Sequence, residues 1–585
     1  MGTEAGKDEE NDNQLSSTNQ RKKGGWTAVK YILANETFDK VASMSLICNM
    51  ILFLRSNYHI GGIALLNLQG IWSGCSNFLT IPGAVLSDTY LGRFSTLLIG
   101  SIISTMGMGI LTVSVGVPKL KPPKCEPPAE CLPSESWQLA ILYAGLTLVA
   151  IGGGCVRPCN IGFGADQFDV TTEKGRASYA RFYNWWYFSF TFALLVALIG
   201  VVWIQVHISW AIACVVATVC FASSTIIFLI GSPTFINKKP QGSIYIDMAR
   251  VVVAAFGKRN VQNHQTIYDP PCISNSNDVI APPKLSRTNR LIYLDKASLI
   301  TQPEELNNSG LAINKWSLCS VQQVEQLKCL FGILPVWLTG VFCFVSIDQH
   351  NSYGILQAMQ MNRRFTRKGF EIPAAWIGFA SMASLSLWIL AYERICLPLA
   401  KKITKKNDVR LSINTRIKIG IVMSVLSTST AAVVECKRRE LAIKNNSYSS
   451  PLHVGYLAPQ QVICGLTEAF AGVTVMEFYT TQMPESMRSL SGSIFFLNLA
   501  MASYISIAII NIITKITQHT HQGSWLGGND LNHNRLDYLF AIVACLGVVN
   551  YFFFTFFASK FVFIDNNIET TEAASSSTEV HPRVE

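Results

Sequence analysis

Polar and apolar positions alternate along this chain in long blocks. Apolar blocks of 20 residues or more recur at about 27–55, 62–90, 94–117, 137–158, 179–206, 208–232, 327–354, 372–396, 414–436, 454–480, 489–515 and 536–559. Each is long enough for a helix to cross the hydrocarbon core of a bilayer. Six precede a polar stretch at 233–324 and six follow it. The pattern predicts an all-α membrane protein of twelve transmembrane helices in two six-helix bundles. The expected divisions are a disordered N-terminal tail (1–26), a first bundle (27–232), a central loop (233–324), a second bundle (325–559) and a disordered C-terminal tail (560–585). Within the loop, Ile244 to Phe256 is apolar on one face and reads as a lateral helix.

Composition agrees. Of 585 residues, 49% are apolar and 14% charged, against about 25% charged in a soluble domain. Disorder, coiled coil and a small disulfide scaffold are excluded for the bulk of the chain. The net charge of +10 lies largely between the apolar blocks, which argues against a nucleic-acid partner and for basic loops at a membrane. The gap after the eighth block carries Lys401, Lys402, Lys405, Lys406, Arg410, Arg416 and Lys418; the gaps near 355–371 and 437–453 carry fewer basic residues, among them Lys437, Arg438 and Arg439. Both tails and the central loop are therefore expected in the cytoplasm. Cys125 and Cys131 fall in an outward loop, where a disulfide or two free thiols are both open. Asn445 begins an outward glycosylation sequon.

Charges inside the apolar blocks are costly, at least ~2.5 kcal/mol each at the centre, and so mark function. Glu36, Asp39 and Lys40 are spaced i, i+3, i+4 in the first block and share a helix face. Two acids beside one base suit proton exchange; a snorkelling structural pair is the bland alternative. Arg157 ends a Gly152-Gly153-Gly154 run before Pro158 in the fourth block, and Glu468 is a lone acid in the tenth. Arg157 can hold an anion, or pair with Glu468 across the bundles in one state and release it in another. Trp185, Trp186 and Tyr187 open the fifth block, and Asp348, Gln349 and His350 lie in the seventh; the aromatics belong to an interfacial belt or to a cavity wall. No metal cluster or nucleotide loop appears, so no cofactor is expected beyond a proton as coupling ion, and the chain is not read as an enzyme.

Several motifs together resemble one family. Gly83-Ala84-Val85-Leu86-Ser87-Asp88-Thr89-Tyr90-Leu91-Gly92-Arg93 resembles the signature of major facilitator transporters in the form used by proton-coupled oligopeptide transporters. Glu36-Thr37-Phe38-Asp39-Lys40 is similar to that family's proton-coupling motif, and Phe182 to Phe188 to its aromatic signature. Gly162 to Phe168, Leu294-Asp295-Lys296-Ala297, Trp316-Ser317-Leu318-Cys319 and Pro484 to Ser489 resemble the plant nitrate and peptide transporter branch, and Arg157 its second subfamily.

The resemblance implies a major facilitator fold, alternating access, Asp88 and Arg93 as cytoplasmic gate residues, and symport of nitrate or a related small anion. Carriage of a glycoside or hormone is the alternative within the class; a passive facilitator and a ligand-sensing receptor are the alternatives outside it. The plasma membrane is favoured over the vacuolar membrane. Two departures matter. Asp39 replaces the usual Glu. Ile347 stands two residues before Gln349, where a nitrate carrier of the family has its nitrate-binding His, and His350 points about 300° around the helix from position 347.

Overall fold

The computed structural model describes residues 24–562 apart from short stretches at 124–131, 169–171, 238–243, 262–265, 271–284, 286, 308–309, 366–369, 406–409, 484–486, 520–523 and 529. Cys125 and Cys131 lie outside the described residues, as do most of both tails.

Twelve spans are found among the described residues. The first is Trp26–Ile47 continued by Met50–Tyr58 after a 57° bend. Asn49 sits at that bend, and its Nδ2 donates to Gln205 Oε1 at 2.8 Å. The second and third spans form one 55-residue helical run, Gly62–Gly116. It doubles back at Gly92, whose φ is 76°, a value that glycine adopts without a Cβ clash. Packing requires the reversal. A Cβ on Gly83 would strike the Gly154 carbonyl, and one on Gly100 would lie 3.0 Å from the Gly152 carbonyl. A straight helix would carry those two glycines about 26 Å apart.

The remaining spans are Ser136–Ala165, Glu173–His207, Trp210–Thr234, Val321–Met359, Ala374–Ile403, Ile413–Lys444, Val454–Gln482, Leu490–Thr517 and Leu536–Phe556. Several run past the expected ends, and in two of them the added charges are neutralised. The seventh begins at Val321 with Lys328 Nζ 2.6 Å from Asp295 Oδ1 and 2.8 Å from Glu325 Oε1. The ninth continues through Lys444, so Lys437, Arg438 and Arg439 are helical rather than loop residues. Arg438 is fully buried, its guanidinium 2.8 Å from Glu435 and from Asn532 Oδ1. The all-α expectation also misses a two-stranded parallel pair, Met361–Asn362 with Ser450–His453.

The lateral helix Ile244–Gly257 buries Met248, Val251, Ala254 and Ala255 in a cluster with Val324, Ile417, Phe478 and Phe554, at the ends of the second-bundle spans nearest the termini.

The bundles meet along spans 2 and 11 and along spans 5 and 8. Asn67 and Asn511 exchange amide hydrogen bonds of 3.1 and 3.0 Å. Ser352 Oγ donates to Gln69 Oε1 at 2.9 Å, Trp376 Nε1 to the Leu198 carbonyl at 2.8 Å, and Arg55 Nη2 to Tyr448 Oη at 2.8 Å. These bonds lie at the middle or toward the face away from the termini, so that far face is the closed one.

Candidate functional site

The triad on span 1 is assembled as its spacing implies. Lys40 Nζ lies 3.5 Å from Glu36 Oε1 and 3.5 Å from Asp39 Oδ2, and all three side chains are buried. Asn35, one residue earlier, fixes the helix beside them. Its Nδ2 donates to Ser224 Oγ at 2.7 Å and its Oδ1 accepts from Asn160 Nδ2 at 3.1 Å. Span 1 is thereby tied to spans 6 and 4. Glu36 Oε2 is buried without a hydrogen-bond partner among the described residues. A buried carboxylate oxygen left unpaired is costly, and protonation relieves that cost.

The glycine run brings span 4 against its neighbours: a Cβ on Gly154 would lie 2.7 Å from Leu79 Cβ. One helical turn later, Arg157 reaches span 2. Its Nη1 donates to Asn77 Oδ1 at 2.9 Å and to the Ser76 carbonyl at 3.4 Å. Asp39 is the carboxylate within electrostatic range. Glu468 is half-buried at the head of a π-turn, Glu468–Gly472, in span 10.

Arg157 and Glu468 form no ion pair with each other here, and neither has a salt-bridge partner among the described residues. Arg157 is held by its own bundle while the bundles are joined at the far face. Both side chains remain partly accessible.

Span 7 turns its three polar residues in different directions. Asp348 Oδ1 accepts from Ser503 Oγ at 3.1 Å, and Ser503 contacts Ser73 Oγ at 3.3 Å; this carboxyl sits on the seam between bundles. His350 is fully buried inside the second bundle. Its Nδ1 is 2.8 Å from the Ser346 carbonyl and its Nε2 2.9 Å from Ser427 Oγ, with the ring packed on Phe540. It is a satisfied core histidine, not a wall of the cleft. Gln349 is buried, and neither amide atom has a partner among the described residues.

The aromatic candidates on span 5 also separate. Trp185 is 53% exposed and continues along the helix into exposed Phe188, Phe192, Leu195 and Ile199. An apolar stripe running the length of a span faces lipid, so Trp185 is not a cavity-wall residue. Trp186 turns inward and stacks on Phe190, its Nε1 buried and unpartnered. The Tyr187 side chain lies outside the described residues.

At the termini end, Arg93 Nη1 contacts Asp166 Oδ2 at 2.5 Å, while Arg93 Nε is 3.9 Å from Asp88 Oδ1. Asp166 belongs to the Gly162–Phe168 motif, yet its part as the closer partner of Arg93 was not legible in spacing. Asn77, Asn35 and Asp166 were missed as site residues because each acts across helices far apart in sequence.

The PTR2 pattern of the POT family matches residues 94–526. The chain belongs to the POT family. Among curated proteins it is similar to Protein NRT1/ PTR FAMILY 2.8 of Arabidopsis thaliana, 49% identical over 545 residues covering 93% of this chain and 96% of that one. It is 35% identical to Protein NRT1/ PTR FAMILY 2.12 of the same plant over 96% of each chain. Among solved structures it resembles the POT family transporter PepTSo, with a TM-score of 0.66 at 17% identity over 92% of this chain and 99% of that one. That likeness establishes the twelve-helix fold. Members of the POT family are transporters, not enzymes, and this chain is a multi-pass membrane transporter.

Proposed function

We propose that this POT family chain is a proton-coupled symporter of nitrate or a related small anion, working by alternating access. The observation that carries the reading is the charge arithmetic of the buried cluster. Lys40 and Arg157 are balanced by Glu36 and Asp39. With both acids ionised, the cluster is neutral and holds an anion weakly. One proton, taken up at the incompletely bonded Glu36, leaves a net charge of +1. That charge lies near a guanidinium which no carboxylate occupies and which has the fork geometry for an oxyanion. Proton and anion thus favour each other's binding, as reciprocal linkage requires. Asp348 on the seam and Glu468 on span 10 are further carboxyls that protonation would neutralise during rocking.

A second reading follows from His350. With its imidazole turned into the second-bundle core and Ile347 in the neighbouring position, the cleft lacks a histidine for nitrate, which favours a larger anionic solute such as a glycoside or hormone. The passive facilitator is the third reading, since Asp39 shortens the motif.

The test is uptake in oocytes at outside pH 5.5 and 7.5 with nitrate, a glucosinolate and a hormone in one panel, using wild type and Glu36→Gln. The expected result is acid-stimulated uptake of one anion in wild type, and pH-independent uptake in the variant at equal surface expression. Undiminished acid stimulation in Glu36→Gln refutes the coupling role. Uptake that follows only the substrate gradient supports the facilitator.

A further inference from the structure

At the far face the two bundles also meet through aromatic rings. His207 closes span 5, and its imidazole stacks on Phe370, from the segment between spans 7 and 8, with centroids 6.0 Å and planes 24° apart. Trp203, one turn earlier on span 5, has its ring 5.6 Å from the same imidazole. Phe370 is in turn 6.3 Å from Trp376, whose Nε1 donates to the Leu198 carbonyl of the first bundle. His207 and Phe370 are both exposed, so the solution on that side reaches the pair.

Each ring is fixed to its own bundle. Gln205, two residues before His207, accepts from Asn49 Nδ2 at 2.8 Å and donates to the Ser45 carbonyl at 3.0 Å, which ties the end of span 5 to the bend of span 1. Phe370 sits on a short antiparallel hairpin. The Phe365 amide donates to the Phe370 carbonyl at 3.0 Å, the Ile372 amide to the Arg363 carbonyl at 2.9 Å, and Arg364 pairs with Glu371. The charged neighbours are on the hairpin side. Glu371 lies 3.3 Å from Arg363 and 4.0 Å from Arg364, and His453 Nε2 lies 3.3 Å from the Arg364 carbonyl. Arg367 and Lys368 lie outside the described residues. Span 5 carries no charged residue between Arg181 and His207. The one excess positive charge of the described hairpin belongs to exposed side chains and is screened by salt, whereas the Phe370 ring touches the imidazole directly.

We propose that His207 is an acid-sensitive latch of the far face: as an imidazolium it binds the Phe370 ring more tightly and so favours closure of the two bundles on that side. Histidine is the side chain whose charge changes between about pH 5 and 8, and a cation within about 6 Å of an aromatic centroid is drawn to the ring quadrupole, an attraction the neutral imidazole lacks. Trp203 is on the same helix and keeps its contact whichever face is open. Phe370 belongs to the other bundle and is in contact only when the far face is closed. The closed state therefore binds the proton better, and by linkage acid on the far side populates the closed state. His453 contacts only its own bundle, so its protonation does not distinguish the two states through this stack. The latch depends neither on the identity of the substrate nor on the coupling role of Glu36.

The experiment measures spin-label distances in full-length protein in nanodiscs at pH 5.5 and 7.5. Labels on p-acetylphenylalanine at Val117 and Tyr456, exposed positions at the far ends of opposite bundles, leave the native cysteines intact. Glu36→Gln is the common background, so that a failure of the coupling role is read separately from a failure of the latch. In that background the ratio of closed to open far face is expected to be about two- to fivefold higher at pH 5.5 than at pH 7.5. His207→Phe keeps a stacked ring without a charge and is expected to remove that difference. His207→Arg supplies a permanent, planar cation and is expected to hold the acid-like closed ratio at both pH values. Phe370→Leu leaves the imidazole free to titrate but removes the ring, and is expected to remove the difference as well. An undiminished pH difference in His207→Phe or Phe370→Leu, acid that opens the far face, or His207→Arg no more closed than His207→Phe overturns the proposal.

Discussion

Arg438 is the largest fully buried side chain among the described residues, and replacing it tests how the far face is held shut. Its Nε and Nη2 each donate to Glu435 at 2.8 Å, and its Nη1 donates to Asn532 Oδ1 at 2.8 Å. Gln357 Nε2 adds a third donor to Glu435 at 2.8 Å. Arg438→Met therefore leaves a buried carboxylate with one donor in place of three, and an orphaned Asn532 oxygen. Breaking a buried pair from one side costs about 3–5 kcal/mol. Glu435→Leu strands the cation and is expected to cost a similar amount.

The double variant removes both charges. It leaves the amide of Gln357 and the oxygen of Asn532 short of partners, at about 1–3 kcal/mol each. It should thus cost less than the sum of the singles, with a coupling energy of about 2 kcal/mol or more. The assay is a double-mutant cycle by steric-trap unfolding in bicelles. A loss below about 1 kcal/mol for Arg438→Met, or additive single and double variants, refutes the reasoning. A functional consequence follows through Asn532, whose Nδ2 donates to the Tyr448 carbonyl at 3.0 Å. Tyr448 receives Arg55 across the bundles, so Arg438→Met should also raise far-face accessibility.

Trp376→Phe removes the inter-bundle bond to the Leu198 carbonyl; a loss of about 1 kcal/mol should raise the far-face-open population about fivefold in distance measurements, and an unchanged distribution counts against the seam. Gly83→Ala places a methyl against the Gly154 carbonyl and is expected to cost about 1–3 kcal/mol by overpacking, read as a lower unfolding temperature. In the central loop, burial works against the Glu305 carboxylate, but bonds from Thr301 and from Lys258 at 3.2 Å prevail and hold its pKa below the ordinary glutamate value. Its contribution is therefore complete above the unfolded value of about 4.3 and is lost as pH falls through the lower folded value. Limited proteolysis of the loop should accelerate below about pH 4 in wild type, and Glu305→Gln should abolish that dependence.

The number of spans, their grouping six and six, and the Glu36–Asp39–Lys40 face were all legible in the sequence. Each depends on local spacing: a block of 20 apolar residues must be a helix in lipid because nothing else satisfies its backbone, and i, i+3, i+4 positions must meet on one helix. Arg438 shows where local reading stops. Beside Lys437 and Arg439 it looks like a loop charge, and only the Glu435 carboxylate and the Asn532 amide, 94 residues away, make its burial possible. Asp348, Gln349 and His350 are consecutive, yet one joins the seam, one is buried unpartnered and one enters the second-bundle core, because the neighbours on spans 2, 9 and 11 differ. Arg157 bonded to Asn77 rather than to Glu468 likewise depends on which face of the two bundles is closed. The sequence by itself determined what must be helical and which charges had to be explained. The tertiary structure decided which partner each charge has, since partners on separate helices are set by packing and conformation rather than by spacing.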